Sequence, residues 1–218
     1  MELKGIKMAV LGDSITEGHG VADKNNMYYN IVARECGVRE LYVDGISGTR
    51  FARQSNESEK PRHDLDFLSR IEKIDADSDL VVVFGGTNDF GHGDAPLGTP
   101  EDKTPYTFWG ACNLMCEMLW ERFPKGQIVF MGPMHREVED NPCGSHKSAP
   151  VATLYEYIEI IKTATRKYSI PFLDLMSVSG ITPRVPVLRE LYMPDGLHPN
   201  DAGQKKIAER LKYFLLSL

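Results

Sequence analysis

The chain has 218 residues, of which 42% are hydrophobic and 26% are charged. This length and composition favour a single domain over residues 1–218, with enough apolar material for a full core without disulfides or metals. The formal net charge of −6 argues against nucleic acid or an anionic membrane surface as the main partner. No apolar run approaches the roughly 18 residues of a membrane span, and no signal-peptide pattern opens the sequence, so we expect a cytoplasmic protein.

The cysteines and histidines do not predict a metal site. The four cysteines are Cys36, Cys112, Cys116 and Cys143. Their spacing matches no common zinc signature, and we expect reduced, mostly buried thiols. His92 with Asp94, and Cys143 with His146, provide too few ligands at a known spacing. The sequence therefore predicts neither a metal nor a cofactor.

Predicted strands and helices alternate along the chain. Apolar runs predict strands at residues 8–11, 40–44, 80–84, 127–131 and 171–175. Apolar residues at helical spacing predict helices at residues 27–36, 63–74, 106–123 and 151–168, and a last helix from residue 201. Asp201 can cap that last helix with Gln204 three residues on. Residues 50–61, 91–105, 133–150 and 177–199 are predicted loops.

Five strands separated by helices predict an α/β fold with a mostly parallel sheet. The run at residues 80–84 is continuous and rich in β-branched residues, which suits a central strand covered on both faces. Functional loops in such folds lie at the carboxyl ends of the strands. The loops after the first three strands, and the late loop before the final helix, are therefore the places to look for a site.

Ser14 directly follows the first predicted strand, in the run Gly12-Asp13-Ser14-Ile15-Thr16. A serine where a strand turns into a helix presents its hydroxyl at the carboxyl edge of the sheet. Free backbone N–H groups there can bind a developing anion. The same residues also fit a plain helix start with Asp13 or Ser14 as the N-cap. A base, an acid that orients it and further anion donors are needed to favour the chemical interpretation.

Asp195 and His198 lie in the late loop, in the run Asp195-Gly196-Leu197-His198-Pro199. A carboxylate three residues before a histidine can fold back and orient the imidazole, and Gly196 gives the backbone freedom to do so. A base held in one tautomer by an acid, near a serine hydroxyl, is what nucleophilic acyl transfer requires. On its own the pattern also fits an incidental salt bridge in a loop.

Asn88 and Gly48 are candidate anion donors behind the third and second strands. The amide of Asn88 could donate to an oxyanion, as an acid at that place could not. Glycine allows close approach of the backbone, so the N–H of Gly48 could be a further donor. Each residue also fits an ordinary turn.

Together these four places resemble the SGNH (GDSL-type) hydrolase superfamily across essentially the whole chain. The matching blocks, in the expected order, are Gly12-Asp13-Ser14, Gly48, Gly85-Gly86-Thr87-Asn88-Asp89 and Asp195-Gly196-Leu197-His198. The resemblance implies a flavodoxin-like three-layer α/β/α sandwich with a five-stranded, mostly parallel sheet. It also implies ester hydrolysis through an acyl-enzyme.

The same resemblance assigns roles to single residues. Ser14 becomes the nucleophile, His198 the base and Asp195 the acid that orients it. The backbone amides of Ser14 and Gly48 and the side chain of Asn88 become the oxyanion hole.

One position departs from the family pattern. The second block usually has an asparagine five residues before its glycine, and Val43 stands there, which puts the support of that loop in question. The competing α/β-hydrolase fold needs Gly-x-Ser-x-Gly, and no serine here is flanked in that way.

The loops at residues 90–105 and 133–150 are expected to form the walls of the site. They contain few large aliphatic side chains and carry Asp94, His135, Arg136 and Glu137. Such walls suit a short acyl group on a polar alcohol. The first of these loops is also similar to that of superfamily members presumed to deacetylate sugars, and this resemblance implies an acetyl group on a carbohydrate. The alternatives are an acyltransferase and a lipase- or thioesterase-type acylhydrolase on the same fold.

Three further residues are candidate substrate contacts: Asp13, His19 and His135. Asp13 also fits a structural role in holding its turn, and His19 fits a histidine on a surface loop. The expected partner is a small-molecule or oligosaccharide ester, and a homo-oligomer is compatible with the sequence. A catalytically silent binding module would lack part of the constellation, whereas the serine, asparagine, aspartate and histidine are all present.

Overall fold

All 218 residues are described by the structure, which is a computed structural model. The strands are β1 (Lys7–Gly12), β2 (Glu40–Gly45), β3 (Leu80–Phe84), β4 (Gln127–Met131) and β5 (Phe172–Leu173). The α-helices are α1 (Ser14–Glu17), α2 (Tyr28–Cys36), α3 (Thr87–His92), α4 (Phe108–Arg122), α5 (Leu154–Lys167), α6 (Leu175–Val178), α7 (Pro186–Tyr192) and α8 (Asp201–Ser217). Short 3-10 segments occur at Lys24–Asn26, Pro61–Asp64 and Leu68–Lys73.

The five strands form one parallel sheet in the order β2-β1-β3-β4-β5. Gly12 at the end of β1 is in register with Gly45 of β2 and Phe84 of β3. The carboxyl ends of these three strands therefore meet at one edge. The strand order reverses between β1 and β3, and α/β sheets form their binding crevices at such a point. The predicted fold class is confirmed.

Two hydrophobic clusters cover the two faces of the sheet. In β3, Val81 and Val83 point into a cluster of 30 buried residues that includes side chains of α4 and α5. Leu80, Val82 and Phe84 alternate with them and point into a cluster of 23 buried residues with α2 and α8. This alternation on a continuous apolar strand gives the three layers, helix, sheet and helix.

The predicted helix at residues 63–74 is wrong. The segment forms two separate 3-10 turns, Pro61–Asp64 and Leu68–Lys73, and Leu65 is 40% exposed. Asp66 interrupts the helix, because its side chain accepts a hydrogen bond from the backbone N–H of Ser69 and starts a new turn there. The residues beyond it still direct their apolar side chains into the core.

Short helices occur at places where the sequence predicted none. Helix α3 follows β3 directly, and α7 occupies part of the loop predicted at residues 177–199. Pro186 indicated a loop, but it stands in the first turn of α7, where a missing N–H costs no intrahelical hydrogen bond. Strand β5 is shorter than predicted, because Asp174 already caps α6 by accepting from the N–H of Ser177.

The cap of the last helix differs from the prediction. Asn200 is the N-cap of α8, and its side chain accepts from the N–H groups of Ala202 and Gly203. Asp201 instead accepts from the backbone N–H of Ala22 and Asp23. The carboxylate is therefore used to hold a distant loop and not the helix start.

The four cysteines are free thiols. Cys112 and Cys116 are buried in α4, whereas Cys36 and Cys143 are half-buried. Among the helices, none has both the length and the apolar character that a membrane crossing requires.

Candidate active site

Ser14 is the first residue of α1, at the carboxyl end of β1. Asp13 is the N-cap of this helix and accepts from the N–H of Ile15 at 3.0 Å. Gly12 makes the tight turn feasible, because a Cβ at this position would lie 2.0 Å from Oγ1 of Thr16. The sequence motif is therefore both a helix start and a device that presents the Ser14 hydroxyl at the sheet edge.

His198 joins Ser14 and Asp195 in one hydrogen-bonded chain. Its Nε2 lies 3.0 Å from Oγ of Ser14, and its Nδ1 lies 2.7 Å from Oδ2 of Asp195. The second carboxylate oxygen of Asp195 accepts from the backbone N–H groups of Leu197 and His198. A carboxylate facing Nδ1 places the proton there, which leaves Nε2 as the acceptor that faces the serine hydroxyl.

The electrostatics of the pair suit a general base. Burial lowers the pKa of His198, although the adjacent carboxylate of Asp195 works in the opposite direction. Burial alone would raise the pKa of Asp195, but hydrogen bonds from His198 and Leu197 hold it below the ordinary value. At neutral pH the imidazole is therefore neutral and the carboxylate ionised, the states that proton abstraction requires.

Three candidate oxyanion donors follow β1, β2 and β3, whose carboxyl ends meet at the sheet edge that carries Ser14. The backbone N–H of Ser14 stands at the start of α1, where a helix leaves its N–H groups without an intrahelical acceptor. The N–H of Gly48 donates to no other group of the chain. Nδ2 of Asn88 donates to the carbonyl of Thr49 at 3.0 Å, which ties the amide to the residue after Gly48.

Arg70, which the sequence did not suggest, supports the turn that carries Gly48. It is fully buried, and its guanidinium donates to the carbonyls of Gly12 and Asp44, and to Oγ1 of Thr49, at 3.1–3.2 Å. It therefore joins the ends of β1 and β2 to this turn, although Val43 stands where the family pattern has an asparagine. An arginine among the inward-facing apolar residues of its segment was the only available signal.

The other predicted contacts lie in different surroundings. The exposed ring of His19 has its centroid 4.3 Å from that of His198, which places it at the site. His135 pairs with the buried Glu139 at 2.9 Å, and no hydrogen bond joins it to Ser14 or His198. Asp94 holds the neighbouring loop by accepting from the backbone N–H groups at residues 55 and 56.

Ligand atoms of His19, Asp195 and His198 lie within 4.8 Å of one another, close enough in principle to hold a metal ion. Two of these residues already satisfy each other through the hydrogen bond between Asp195 and His198. The short Asp195–His198 contact therefore has an explanation without a metal.

A cavity of 310 Å³, lined mostly by residues with polar side chains, adjoins the loop that carries Asp195 and His198. It is lined by Arg136, Glu137 and Arg184 among others, and Val138 is its hydrophobic member. The backbone N–H of Glu137 donates to the carbonyl of Gly196 at 2.8 Å, which fixes the cavity against that loop.

A hydrogen-bonded serine, histidine and aspartate beside free N–H donors is the arrangement that serine hydrolases use. Comparison with known proteins places the chain more narrowly. The model of the GDSL-like lipase/acylhydrolase family matches residues 10–206. The chain belongs to this family, and this membership supports an esterase or acylhydrolase activity.

Solved structures agree with this membership. A protein from Lactobacillus plantarum is 31% identical, with a TM-score of 0.84 and 98% of each chain covered. A lipase/acylhydrolase from Enterococcus faecalis is 19% identical with a TM-score of 0.62, over 97% of this chain and 96% of the other. A member of the lipolytic G-D-S-L family from Veillonella parvula is 15% identical with a TM-score of 0.60, over 97% and 99%. The last two show a shared fold. A search of curated proteins found no match.

Proposed function

We propose that the chain is a serine esterase that removes short acyl groups, acetyl above all, from a polar alcohol such as a carbohydrate. Ser14 is the nucleophile, His198 the base and Asp195 the acid that orients it. The observation that carries the proposal is the continuous hydrogen-bonded chain from Asp195 through His198 to Ser14, with contacts of 2.7 and 3.0 Å.

The geometry suggests the order of steps. Nε2 of His198 takes the proton of Ser14 as Oγ attacks the ester carbonyl, and a C–O bond forms. The N–H groups of Ser14 and Gly48 and the amide of Asn88 stabilise the oxyanion. His198 then gives its proton to the departing alcohol oxygen as that C–O bond breaks. His198 then takes a proton from a water molecule, which attacks the acyl-enzyme and forms a second tetrahedral intermediate. When the bond between this intermediate and Oγ of Ser14 breaks, His198 returns the proton to Ser14 and the carboxylic acid is released.

The walls near the triad support a polar alcohol. The cavity beside the loop of Gly196 is lined by Arg136, Glu137 and Arg184, which can hydrogen bond to hydroxyl groups. Long acyl chains need extended walls of apolar side chains, and only Val138 and Pro183 among the residues that line this cavity lack a polar side-chain atom. We therefore assign this cavity to the alcohol part of the substrate.

The test of the nucleophile is Ser14→Ala, assayed with p-nitrophenyl acetate. We expect kcat to fall by several orders of magnitude, with an unchanged thermal unfolding midpoint, because the oxygen that attacks is lost and little else changes. Ser217→Ala, an exposed serine near the end of α8, is the matched control and should keep full activity. A Ser14→Ala enzyme that retains more than a few per cent of the activity would remove Ser14 from this role.

The test of the substrate class is a series of esters. We expect kcat/KM to be highest for acetyl and to fall through butyryl to octanoyl p-nitrophenyl esters, and acetylated oligosaccharides to be deacetylated. A value of kcat/KM that rises toward octanoyl would contradict the short-chain assignment and favour a lipase-type acylhydrolase.

A further inference from the structure

Asn88 receives support from two residues that the proposed mechanism does not use. Nε2 of His92 lies 3.2 Å from Oδ1 of Asn88, and Nδ1 of the same ring lies 3.2 Å from Nη1 of Arg50. Arg50 is itself buried and held by Asp64, whose Oδ1 accepts from Nη2 at 2.9 Å. A chain of hydrogen bonds therefore runs from Asp64 through Arg50 and His92 to Asn88.

The donor in this chain fixes the tautomer of His92. A guanidinium can only donate, so the nitrogen that faces Arg50 must carry a lone pair. The proton of the neutral ring is then on Nε2, where it donates to Oδ1 of Asn88. This direction agrees with the other bond of the same amide, in which Nδ2 of Asn88 donates to the carbonyl of Thr49.

The two bonds leave one N–H of the Asn88 amide without a partner inside the chain. Oδ1 is taken by His92, and one hydrogen of Nδ2 is taken by Thr49. We infer that His92, oriented by Arg50, is a positioning residue that aims the remaining N–H of Asn88 at the oxyanion. The inference rests on the proposed role of Asn88 in the oxyanion hole.

The surroundings of His92 keep this arrangement in one state. Burial, and the charge of Arg50 after it, lower the pKa of His92 to about 4, with smaller effects in the same direction from His63, Arg136 and His146. The ring is therefore neutral across the pH range in which His198 can act as a base. A second proton, on Nδ1, would point at the guanidinium of Arg50, and the neutral ring avoids the repulsion between these two positive groups.

A purely structural role for His92 makes a different prediction from a positioning role. A residue that acts through Asn88 loses its effect on kcat once the Asn88 amide is removed. A residue that only fills space keeps its effect in either background. A double-mutant cycle between the two positions separates these cases.

The experiment measures kcat and KM for p-nitrophenyl acetate with four variants and the native protein. The variants are Asn88→Ala, His92→Phe, His92→Gln and the double variant of Asn88→Ala with His92→Phe. We expect Asn88→Ala to lower kcat by about 10²–10³-fold, as for other lost oxyanion donors. His92→Phe should lower kcat by about tenfold, with KM changed less than twofold, because the amide is present but no longer held.

Two results would support the inference. The double variant should have the kcat of Asn88→Ala alone, and His92→Gln should recover most of the activity, because its amide can donate to Asn88 and accept from Arg50. If His92→Phe does not fold, His92→Asn takes its place, since that shorter amide can accept from Arg50 without reaching Asn88. Thermal unfolding midpoints of all variants identify any folding defect.

Three results would overturn it. These are losses that multiply in the double variant, native kcat in His92→Phe, or a His92→Gln enzyme as slow as His92→Phe. Native kcat in Asn88→Ala would overturn both the oxyanion role of Asn88 and this inference. An active Ser14→Ala enzyme is the separate result that contradicts the proposed function, so the two failures are distinguishable.

Discussion

His198 is exposed to opposing influences on its protonation, and their balance decides when the site can work. Burial lowers its pKa, Asp195 raises it, and the nearby His19 and Arg136 lower it again. The net effect is a pKa below the ordinary value of about 6.5. The imidazole is therefore available as a base at slightly acidic pH, where an unperturbed histidine would already be half protonated.

The pH profile should follow this balance. We expect kcat/KM for p-nitrophenyl acetate to rise with pH and to level off, with the midpoint of the rise below about 6.5, because only neutral His198 can accept the proton of Ser14. His19→Asn should move the midpoint upward, since it removes a group whose charge lowers that pKa. A midpoint above pH 7, or a rate that falls as pH rises from 5 to 7, would contradict the assignment of His198 as the base.

The turn after β2, residues 46–49, connects α1, which carries Ser14, to the ends of β1 and β2. The backbone N–H of Ser47 donates to the carboxylate of Glu17 in α1 at 2.7 Å, and the guanidinium of Arg70 donates to Oγ1 of Thr49 at 3.1 Å. Between these two anchored residues, Gly48 adopts a left-handed backbone conformation with φ of +78°. The N–H of Gly48 donates to no other group of the chain, while its neighbours connect the turn to α1 and to the strand ends.

Gly48→Ala tests this turn against a matched glycine. A Cβ at residue 48 would lie 2.4 Å from Cδ2 of the His63 ring, whereas Gly5, with φ of +80°, has no atom within 4 Å of such a Cβ. Both substitutions should cost about 1–2 kcal/mol of stability from backbone strain. Only Gly48→Ala should also lower kcat, because the N–H of residue 48 shifts from its position. Equal kcat values for the two variants, measured with p-nitrophenyl acetate, would argue against a role for this N–H.

The elements were predictable from sequence where local pattern decides them. Strands β1, β3 and β4 contain continuous apolar runs, β2 contains a shorter one over residues 41–43, and each of the four was located to within one residue at either end. The helix predicted at 63–74 failed because one side chain, that of Asp66, competes with the helical hydrogen bonds. The cap of α8 was misassigned because Asn200 and Asp201 are both good caps, and the choice depends on a loop 178 residues away.

The residues of the candidate site were likewise predictable only where a local sequence pattern marks them. Ser14, Asp195 and His198 stand at strand ends or in short motifs, and the structure brings them together. Arg70 was not noticed, and His92 was considered only as a possible metal ligand, because their roles depend on distant contacts. Arg70 contacts Gly12, 58 residues away, at the end of β1. His92 contacts Arg50, which is 42 residues away. No local pattern encodes such pairings.

At the scale of the whole molecule, the site exists because the two ends of the chain are joined. Gln204, buried in the first turns of α8, donates to the carbonyl of Ile15 and accepts from the N–H of Tyr28. It holds the start of α8 against α1, and the loop with His198 directly precedes that start. The contact between His198 and Ser14, 184 residues apart, is thus a consequence of tertiary packing.

Buried ionisable groups near the site should give the stability of the molecule a measurable dependence on pH. Burial raises the pKa of Asp13 to about 7 and lowers that of His92 to about 4. Folded Asp13 keeps a proton that the unfolded chain releases above about pH 4, so its contribution to stability falls as pH rises toward 7. His92 acts with the opposite sign, because the unfolded chain binds its proton between pH 6.5 and 4 and the folded chain does not.

Asp13→Asn and His92→Gln should therefore change the pH dependence of stability in opposite directions. Asparagine can keep the N-cap bond to Ile15, so Asp13→Asn removes the titration with little other change. Its free energy of unfolding, relative to the native protein, should rise by about 2 kcal/mol from pH 5 to pH 7. That of His92→Gln should fall by about 2 kcal/mol over the same interval, because the rising contribution of His92 is lost. Urea unfolding at both pH values measures each difference. Changes of the same sign in the two variants would contradict the assigned protonation states of Asp13 and His92.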